Sequence, residues 1–164
     1  MKRVLIAALA MLSIAAGAVA ANKAATADKP ASGKPNFSGE WTMNAAKSNF
    51  GQLPAPAKFV RKIQHLDPSL TVIEEQSAGG RDSTTTRKIT ADGKSVTLEL
   101  NGAAALCSSV WDGADLVATT TLDSVGLKFT DRMSLSSDGK VLTSKVQIAS
   151  PQGDGELIIV FDRQ

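Results

Sequence analysis

Polar and apolar residues alternate in short runs along the chain beyond Phe59, and turn-forming residues separate these runs at close intervals. Asn-Gly and Asp-Gly pairs favour two-residue turns whose twist matches that of the flanking strands. The turn signals are Asp67-Pro68, Gly79-Gly80, Asp92-Gly93, Asn101-Gly102, Asp112-Gly113, Asp123-Ser124, Asp138-Gly139 and Pro151-Gln152-Gly153. The best helical candidate, Met43 to Ser48, is a turn or two at most. The pattern predicts an all-β domain, an antiparallel up-and-down meander of about 8–10 strands with no substantial helix.

A two-residue turn fixes the register of a hairpin, and the register fixes the face on which each side chain lies. If Ile89 faces inward, each successive turn keeps the mainly apolar side chains on the same face of the sheet, as far as Ile148. The inward positions are then Arg87, Ile89, Val96, Leu98, Leu100, Ala103, Ala105, Cys107, Ser109, Trp111, Ala114, Leu116, Ala118, Thr120, Leu122, Val125, Leu127, Phe129, Asp131, Met133, Leu135, Leu142, Ser144, Val146 and Ile148. The opposite face is mainly polar, so one side of the sheet is solvated. About ten such strands commonly close into a barrel, because closure removes both sheet edges.

Residues 1–20, MKRVLIAALAMLSIAAGAVA, begin with basic residues, continue as an apolar run and end in small residues. This order predicts a secretory signal peptide cleaved after Ala20, since the run is too short for a membrane anchor and has no charged stop behind it. Residues 21–35 lack large apolar side chains, so we expect a flexible tether. Residues 36–164 remain for a single barrel domain. We expect the mature chain to be exported, to a periplasm or out of the cell.

Charge and cysteine content exclude some partners. The 18 Lys and Arg residues include Lys2 and Arg3 of the predicted leader, and the remaining 16 balance the 16 Asp and Glu residues. A neutral mature chain without a basic run has no electrostatic basis for binding nucleic acid or an acidic membrane. Cys107 is the only cysteine in the sequence, so an intramolecular disulfide is impossible. We therefore expect no nucleic-acid partner and no membrane insertion after signal cleavage.

The segment Asn36-Phe37-Ser38-Gly39-Glu40-Trp41-Thr42-Met43 resembles the F-x-G-x-W start of the first strand in the calycin superfamily, the lipocalins and fatty-acid-binding proteins. Together with Trp111-Asp112-Gly113, it is similar to uncharacterised exported bacterial lipocalin-like proteins. The resemblance implies a lipocalin-like barrel in which Trp41 plugs one end and Arg163 lies across its indole, where cation–π attraction adds to packing. The alternative is that Arg163 is a frayed terminal residue.

The chain departs from the fatty-acid-binding proteins after its first strand. Those proteins insert two lid helices there, whereas residues 45–57 are few and interrupted by Pro54 and Pro56. We therefore expect the barrel without a helical lid.

The predicted interior contains two neighbouring stripes of small side chains, Ala103, Ala105, Cys107 and Ser109 beside Ala114, Ala118 and Thr120. They either leave space for a ligand or are covered by Trp41, Trp111 and Phe129. Arg87 and Asp131 share this interior. The resemblance implies that Arg87 receives a ligand carboxylate, and Asp131 would orient it. The alternative is that both lie near open barrel ends or pair with each other for structure alone. The candidate ligand-binding residues are Arg87, Leu98, Ala105, Cys107, Trp111, Leu116, Ala118, Phe129, Asp131 and Met133.

Catalytic chemistry has little support in the sequence. His65 is the sole histidine and there is no tyrosine, so a general base with a positioned nucleophile lacks candidates. No residues have the spacing of metal ligands. A lone His65 is able to ligate haem, but we expect a solvated histidine at a strand end. We therefore predict a protein that is not an enzyme, with no catalytic residue, metal or cofactor.

One outward cluster of apolar residues, Leu106, Val110 and Val117, lies among polar neighbours. It either contacts another protein or packs beneath the loop that follows Trp41. The function we predict is an exported, non-enzymatic module that binds an apolar or amphipathic small molecule. The alternative is a structural or protein-interaction barrel with a packed interior and no ligand.

Overall fold

The computed structural model describes residues 33–100 and 102–164, so the predicted signal peptide and residues 21–32 of the predicted tether lie outside the described residues. Ten antiparallel strands form one nearly closed barrel, which confirms the predicted all-β fold. The strands are β1 (Gly39–Met43), β2 (Lys58–Leu66), β3 (Ser69–Ala78), β4 (Arg81–Thr90), β5 (Asp92–Leu100), β6 (Ala103–Asp112), β7 (Asp115–Leu122), β8 (Leu127–Leu135), β9 (Val141–Ala149) and β10 (Gly155–Arg163). Their order in the sheet is β4-β3-β2-β1-β10-β9-β8-β7-β6-β5.

Helical structure in the described ranges is limited to single 3₁₀ turns at Ala45–Lys47 and Asp123–Val125. No helix in these ranges is long and apolar enough to cross a membrane. The absence of lid helices after β1 follows from the prolines, since Pro54 and Pro56 fall in the connection to β2.

The predicted faces of the strands are confirmed by burial. In β7 buried and half-buried residues alternate strictly, as expected for a strand with one face on the core. Two turns nevertheless differ from the prediction, because Asp112 pairs with Asp115 and Leu122 with Leu127. Both changes displace the register by two residues, which keeps every side chain on its predicted face. Only Ala114 and Val125, predicted to face inward, are moved into exposed connections.

The predicted Asp92-Gly93 hairpin is wrong. Among the described residues no ladder joins β4 to β5, and β5 pairs with β6 through a bulge between Asp92 and Ser95. Gly93 takes a left-handed φ of 78° in this bulge. The Ser109 hydroxyl of β6 donates to the Thr90 carbonyl of β4 at 2.8 Å and so links the two sides. The barrel therefore has one open seam, between β4 and β5.

The glycine of the Gly-x-Trp motif makes room for an arginine at one end of the barrel, here called the closed end. Arg163 lies over the fully buried Trp41 ring, with its guanidinium carbon 4.2 Å from the ring centroid. Its Nη1 and Nε donate to the carbonyls of Ser38 and Gly139, each at 2.8 Å. Gly39 has a φ of 144°, and a Cβ at this position would lie 2.8 Å from Arg163 Nη1. A larger residue would therefore displace the arginine from the indole.

His65 lies inside the closed end, so the expectation of a solvated histidine is wrong. Only 4% of the residue is exposed, and its ring lies 6.0 Å from that of Phe37 and 5.8 Å from that of Trp111. Its Nδ1 accepts a hydrogen bond from the Phe37 amide at 3.2 Å. Its Nε2 lies 3.7 Å from Asp67 Oδ1. The histidine is covered because the segment before β1 folds across this end of the barrel.

The buried ring of His65 predicts a loss of stability in mild acid. Burial lowers its pKa below the ordinary 6.5, although Asp67 opposes the shift. The unfolded chain then binds the proton more tightly, so the stability is fully present above pH 6.5 and declines as pH falls towards the lower folded pKa. Urea unfolding should therefore show a lower free energy at about pH 5 than at about pH 7.5, by at most about 1.4 kcal/mol per pH unit.

His65→Gln is the matched variant, because it keeps a hydrogen-bond acceptor for Phe37 but cannot be protonated in this range. We expect its free energy of unfolding to change less between the two pH values than that of the wild type. Since His65 is the only histidine, other groups contribute little in this window. An identical pH dependence in both proteins would contradict the prediction.

Candidate functional site

Two hairpins bring opposite charges together in the middle of the barrel. The Asp67-Pro68 turn pairs Arg61 of β2 with Glu74 of β3, and both side chains face inward. Arg61 Nε donates to Glu74 Oε1 at 2.9 Å, and Arg61 Nη2 lies 2.7 Å from the same oxygen. Arg87 Nη2, on β4, donates to the same oxygen at 3.0 Å. One carboxylate oxygen thus binds two arginines.

A second carboxylate approaches the same arginine from the opposite wall. Asp131 Oδ2, on β8, lies 3.8 Å from Arg61 Nη2, and its Oδ1 accepts a short hydrogen bond from the Ser144 hydroxyl on β9. Arg61 also packs over the ring of Phe161, 4.9 Å from its centroid. We call Arg61, Glu74, Arg87, Asp131 and Ser144 the polar network. It crosses the interior between the two sides of the barrel.

The charges of the polar network balance. Burial favours a raised pKa for Glu74, but Arg87 and Arg61 outweigh it and hold the pKa below its ordinary value. Glu74 raises the pKa of Arg87 in turn, against the effect of burial. The two arginines and the two carboxylates therefore carry no formal net charge together. Arg87 Nε is buried, and no described residue accepts a hydrogen bond from it.

Packing differs on the two sides of the polar network. Towards the closed end the interior is filled, and Trp41, Leu116 and Leu142 are fully buried. Towards the other end, the open end, Leu122 and Leu157 are buried, but several other inward-facing apolar side chains remain half-buried. We call these residues the open-end lining: Val96, Leu98, Phe129, Val146 and Ile148. Phe50, from the segment between β1 and β2, packs against the core near the same end, where Asn49 forms a bridge to Ile158.

Most of the small-residue stripes are covered by other atoms, although Ala103 is half-buried and Ala114 is exposed. Ala105 is 1% exposed, Cys107 0% and Ala118 4%, which leaves no water-sized space beside them. Other side chains therefore fill the space that their small size leaves. The accessible part of the interior lies at the open-end lining.

The structure distributes the predicted interior residues over three places. Arg87 and Asp131 belong to the polar network, and Met133 contacts it through its sulfur, 3.5 Å from Arg61 Nη1. Leu98 and Phe129 belong to the open-end lining, whereas Ala105, Cys107 and Ala118 form a packed wall. Trp111 and Leu116 lie towards the closed end, where Trp111 Nε1 donates to Asp67 at 3.3 Å. Arg87 pairs with Glu74 and not with Asp131.

Arg61 and Glu74 were missed by the sequence prediction. The Asp67-Pro68 turn carries the signal that finds them, because a two-residue turn there places residue 61 opposite residue 74. Alternation along β2 and β3 from this turn places both side chains on the inward face.

Two hollows outside the barrel are weaker candidates. One, of about 560 Å³, lies at β8, β9 and β10 beside Lys128, Gln147 and Glu156. The other, of about 210 Å³, lies beside Lys58, Glu75 and Asp82. Both are open to solvent and lined by charged side chains, so they offer little enclosed apolar surface. Within the described ranges, no group of three His, Cys, Asp or Glu residues is placed to hold a metal ion.

Solved structures share this architecture. A secretory abundant heat soluble protein from Ramazzottius varieornatus matches with a TM-score of 0.60 and 12% identity, over 78% of this chain and 95% of that chain. Zebrafish ileal bile acid-binding protein in complex with cholic acid matches with a TM-score of 0.55 and 16% identity, over 78% and 98%. Fatty-acid-binding protein 1 from Echinococcus granulosus matches with a TM-score of 0.54 and 12% identity, over 77% and 96%.

No protein-family model matches the sequence, and neither does any curated protein. At 12–16% identity the structural likeness shows the fold alone, an up-and-down β-barrel that this chain shares with these three proteins. Bile-acid-binding and fatty-acid-binding proteins are among the barrels with this fold.

Glu74 should contribute far more to stability than its neighbour Glu75. Glu74→Gln leaves two buried guanidinium groups without their shared carboxylate, which should cost about 3–5 kcal/mol. Glu75 faces outward, 2.7 Å from Lys62 Nζ and 3.6 Å from Lys58 Nζ, so Glu75→Gln makes the same change of charge at the surface. We expect it to cost less than about 1 kcal/mol. Urea unfolding of the two variants tests this, and equal costs would show that the polar network is not a closely coupled buried unit.

Proposed function

We propose that the protein is an exported, non-enzymatic binding module that holds a small apolar or amphipathic molecule inside the open end of its barrel. The observation that carries the proposal is the contrast between the two halves of the interior. Trp41 and Leu142 are completely buried at one side of the polar network, whereas Leu98 and Phe129 remain half-buried at the other although they face inward.

Half-buried apolar side chains inside a barrel favour a guest molecule. Protein interiors normally pack to the density of organic crystals. Apolar side chains that line unfilled space therefore lack part of the burial and van der Waals contact that stabilise a packed interior. Removing about 100 Å² of apolar surface from water is worth about 2.5 kcal/mol. A guest with an alkyl or ring portion would obtain this stabilisation from Leu98, Phe129 and Ile148. Its polar end would lie towards the polar network.

The structural neighbours support small-molecule binding in general terms. One is a bile acid-binding protein holding cholic acid, and another is a fatty-acid-binding protein. The absence of lid helices distinguishes this chain, since two short 3₁₀ turns are the only helical elements of the described ranges. Entry would therefore proceed through the open end or the seam between β4 and β5.

We also propose a non-catalytic role without a cofactor. His65 is enclosed by Phe37 and Trp111, and the neighbouring Ser38 hydroxyl bonds to the main chain of His65 and not to its ring. The Ser144 hydroxyl donates to Asp131 inside an ion network whose carboxylates are already engaged by arginine. Neither group has the accessible base and nucleophile arrangement that covalent catalysis needs.

Export and kinship with exported bacterial lipocalin-like proteins belong to the same proposal. They are supported by the leader pattern of residues 1–20, by Gly39-Glu40-Trp41 and by Trp111-Asp112-Gly113.

The intact mass of the protein recovered from its host should correspond to a chain that begins at Ala21. Recovery of the uncleaved chain from the cytoplasm would contradict export.

A second candidate function is contact with another protein through the outer face. Leu106 and Val110 are each 48% exposed, and Val110 pairs with the half-buried Val117 on the neighbouring strand. Apolar residues grouped on a solvated face mark contact surfaces more often than isolated ones do. This surface lies outside the barrel and is compatible with a bound ligand.

Filling the open end should abolish ligand binding. Leu98→Trp places a large side chain among the open-end lining, whereas Thr97→Trp adds the same side chain to the exposed face of the same strand. With a neutral solvatochromic dye such as Nile red as the probe, we expect Leu98→Trp to weaken binding by at least about tenfold and Thr97→Trp to leave it nearly unchanged. Equal effects of the two substitutions would place the dye outside the barrel.

A further inference from the structure

The charges of the two interior arginines are already faced by carboxylates of the protein itself. Glu74 Oε1 accepts from Arg61 Nε and from Arg87 Nη2, and it lies 2.7 Å from Arg61 Nη2. Asp131 lies 3.8 Å from the same Arg61 nitrogen. Both positive charges therefore face carboxylates that belong to the barrel. A guest does not need to supply a negative charge to complete the network.

A carboxylate guest would disturb this balance. It would add a third anion to two cations in an interior where Arg61 is 3% exposed and Glu74 and Asp131 are each 12% exposed at the side chain. An uncompensated charge is costly to bury, because the interior replaces only part of its lost hydration. An uncharged guest leaves the balance intact.

One buried donor of the network has no partner in the part of the chain that the structure describes. Arg87 Nε is buried without an acceptor among the described residues. Arg87 is also the more accessible arginine, with 18% of its side chain exposed compared with 3% for Arg61. A hydroxyl or ester oxygen accepts a hydrogen bond from such a donor without bringing a charge.

We infer that Glu74 and Asp131 make the interior selective for uncharged amphipathic molecules that carry a hydroxyl, ester or amide oxygen, in preference to fatty-acid anions. Glu74 is the main specificity-determining residue, because it binds both arginines. The apolar portion of the guest lies against Leu98 and Phe129, and its oxygen accepts from Arg87 Nε. This inference rests on the proposed binding function and names the ligand class of the same site.

Ligands of equal chain length test the inference directly. Dodecan-1-ol, monolauroylglycerol and dodecanoate are compared as competitors of Nile red on the full mature chain at about pH 7.5, where the acid is ionised. We expect both uncharged ligands to displace the dye at concentrations at least about tenfold lower than dodecanoate. Equal displacement by dodecanoate, or stronger, would overturn the inference and leave the proposed function standing.

Charge-neutralising variants test the role of Glu74. Glu74→Gln gives the network one surplus positive charge, so we expect the preference for dodecan-1-ol over dodecanoate to fall by about tenfold or more. Asp131→Asn makes the same change without removing the shared carboxylate, and it serves if Glu74→Gln does not fold, as judged by circular dichroism. Glu75→Gln is the control, because it removes a carboxylate from the outer face of the same strand.

The outcomes separate the two proposals. An unchanged preference in both Glu74→Gln and Asp131→Asn would overturn the assignment of selectivity to these carboxylates, as would an equal change in Glu75→Gln. Failure of the dye and of all three ligands to bind the wild type would overturn the proposed function, and with it this inference. Both proposals are supported if the wild type prefers uncharged ligands and if this preference falls in Glu74→Gln and Asp131→Asn but not in Glu75→Gln.

Discussion

Glu74 Oε1 accepts hydrogen bonds from Arg61 at 2.9 Å and from Arg87 at 3.0 Å in the middle of a β-barrel. Placing these charges in the interior is expensive, and the cost is offset only while all partners keep their positions. The strands that carry them must therefore hold a fixed register, and β2, β3 and β4 do so through two short turns. The network also separates the closed end, where Trp41, Leu116 and Leu142 are fully buried, from the open-end lining, whose apolar residues remain half-buried.

Closure of the barrel places the other wall against this network. β1 pairs with both β2 and β10, so the first and last strands lie side by side and bring Arg163 onto Trp41. β8 and β9 then carry Asp131 and Ser144 to the side of the barrel that faces Arg61. The seam between β4 and β5 leaves two strand edges without a shared ladder. The Ser109 to Thr90 hydrogen bond holds them near each other.

Much of the fold could be predicted from sequence because errors of two residues do not change the face of a strand. Asp112-Gly113 and Asp123-Ser124 are not the turns observed, yet Leu116 and Met133 lie on the predicted inner face. The seam was missed because a turn-forming pair such as Asp92-Gly93 also occurs in β-bulges, and here it does. Burial of His65 was missed because it depends on the segment around Phe37 folding over a distant strand.

The candidate site was predicted only in part, for a physical reason. The alternation of side chains along each strand placed Arg87 and Asp131 in the interior. It does not show which opposite charge each of them contacts. Their partners, Glu74 and Arg61, come from two other strands whose relative positions depend on closure of the barrel. The small residues Ala105 and Ala118 suggested open space, whereas their burial shows that other atoms fill it. Accessible space is a property of the whole barrel and not of a single stripe.

The most direct measurement is a nitrogen–proton NMR spectrum of the arginine Nε–Hε groups, recorded while monolauroylglycerol is added to the mature chain. We predict that the Arg87 signal shifts as its Nε gains an acceptor, that the Arg61 signal changes less, and that the surface residue Arg132 is unaffected. Binding of the ligand with no change at Arg87 would contradict a guest inside the barrel at the polar network.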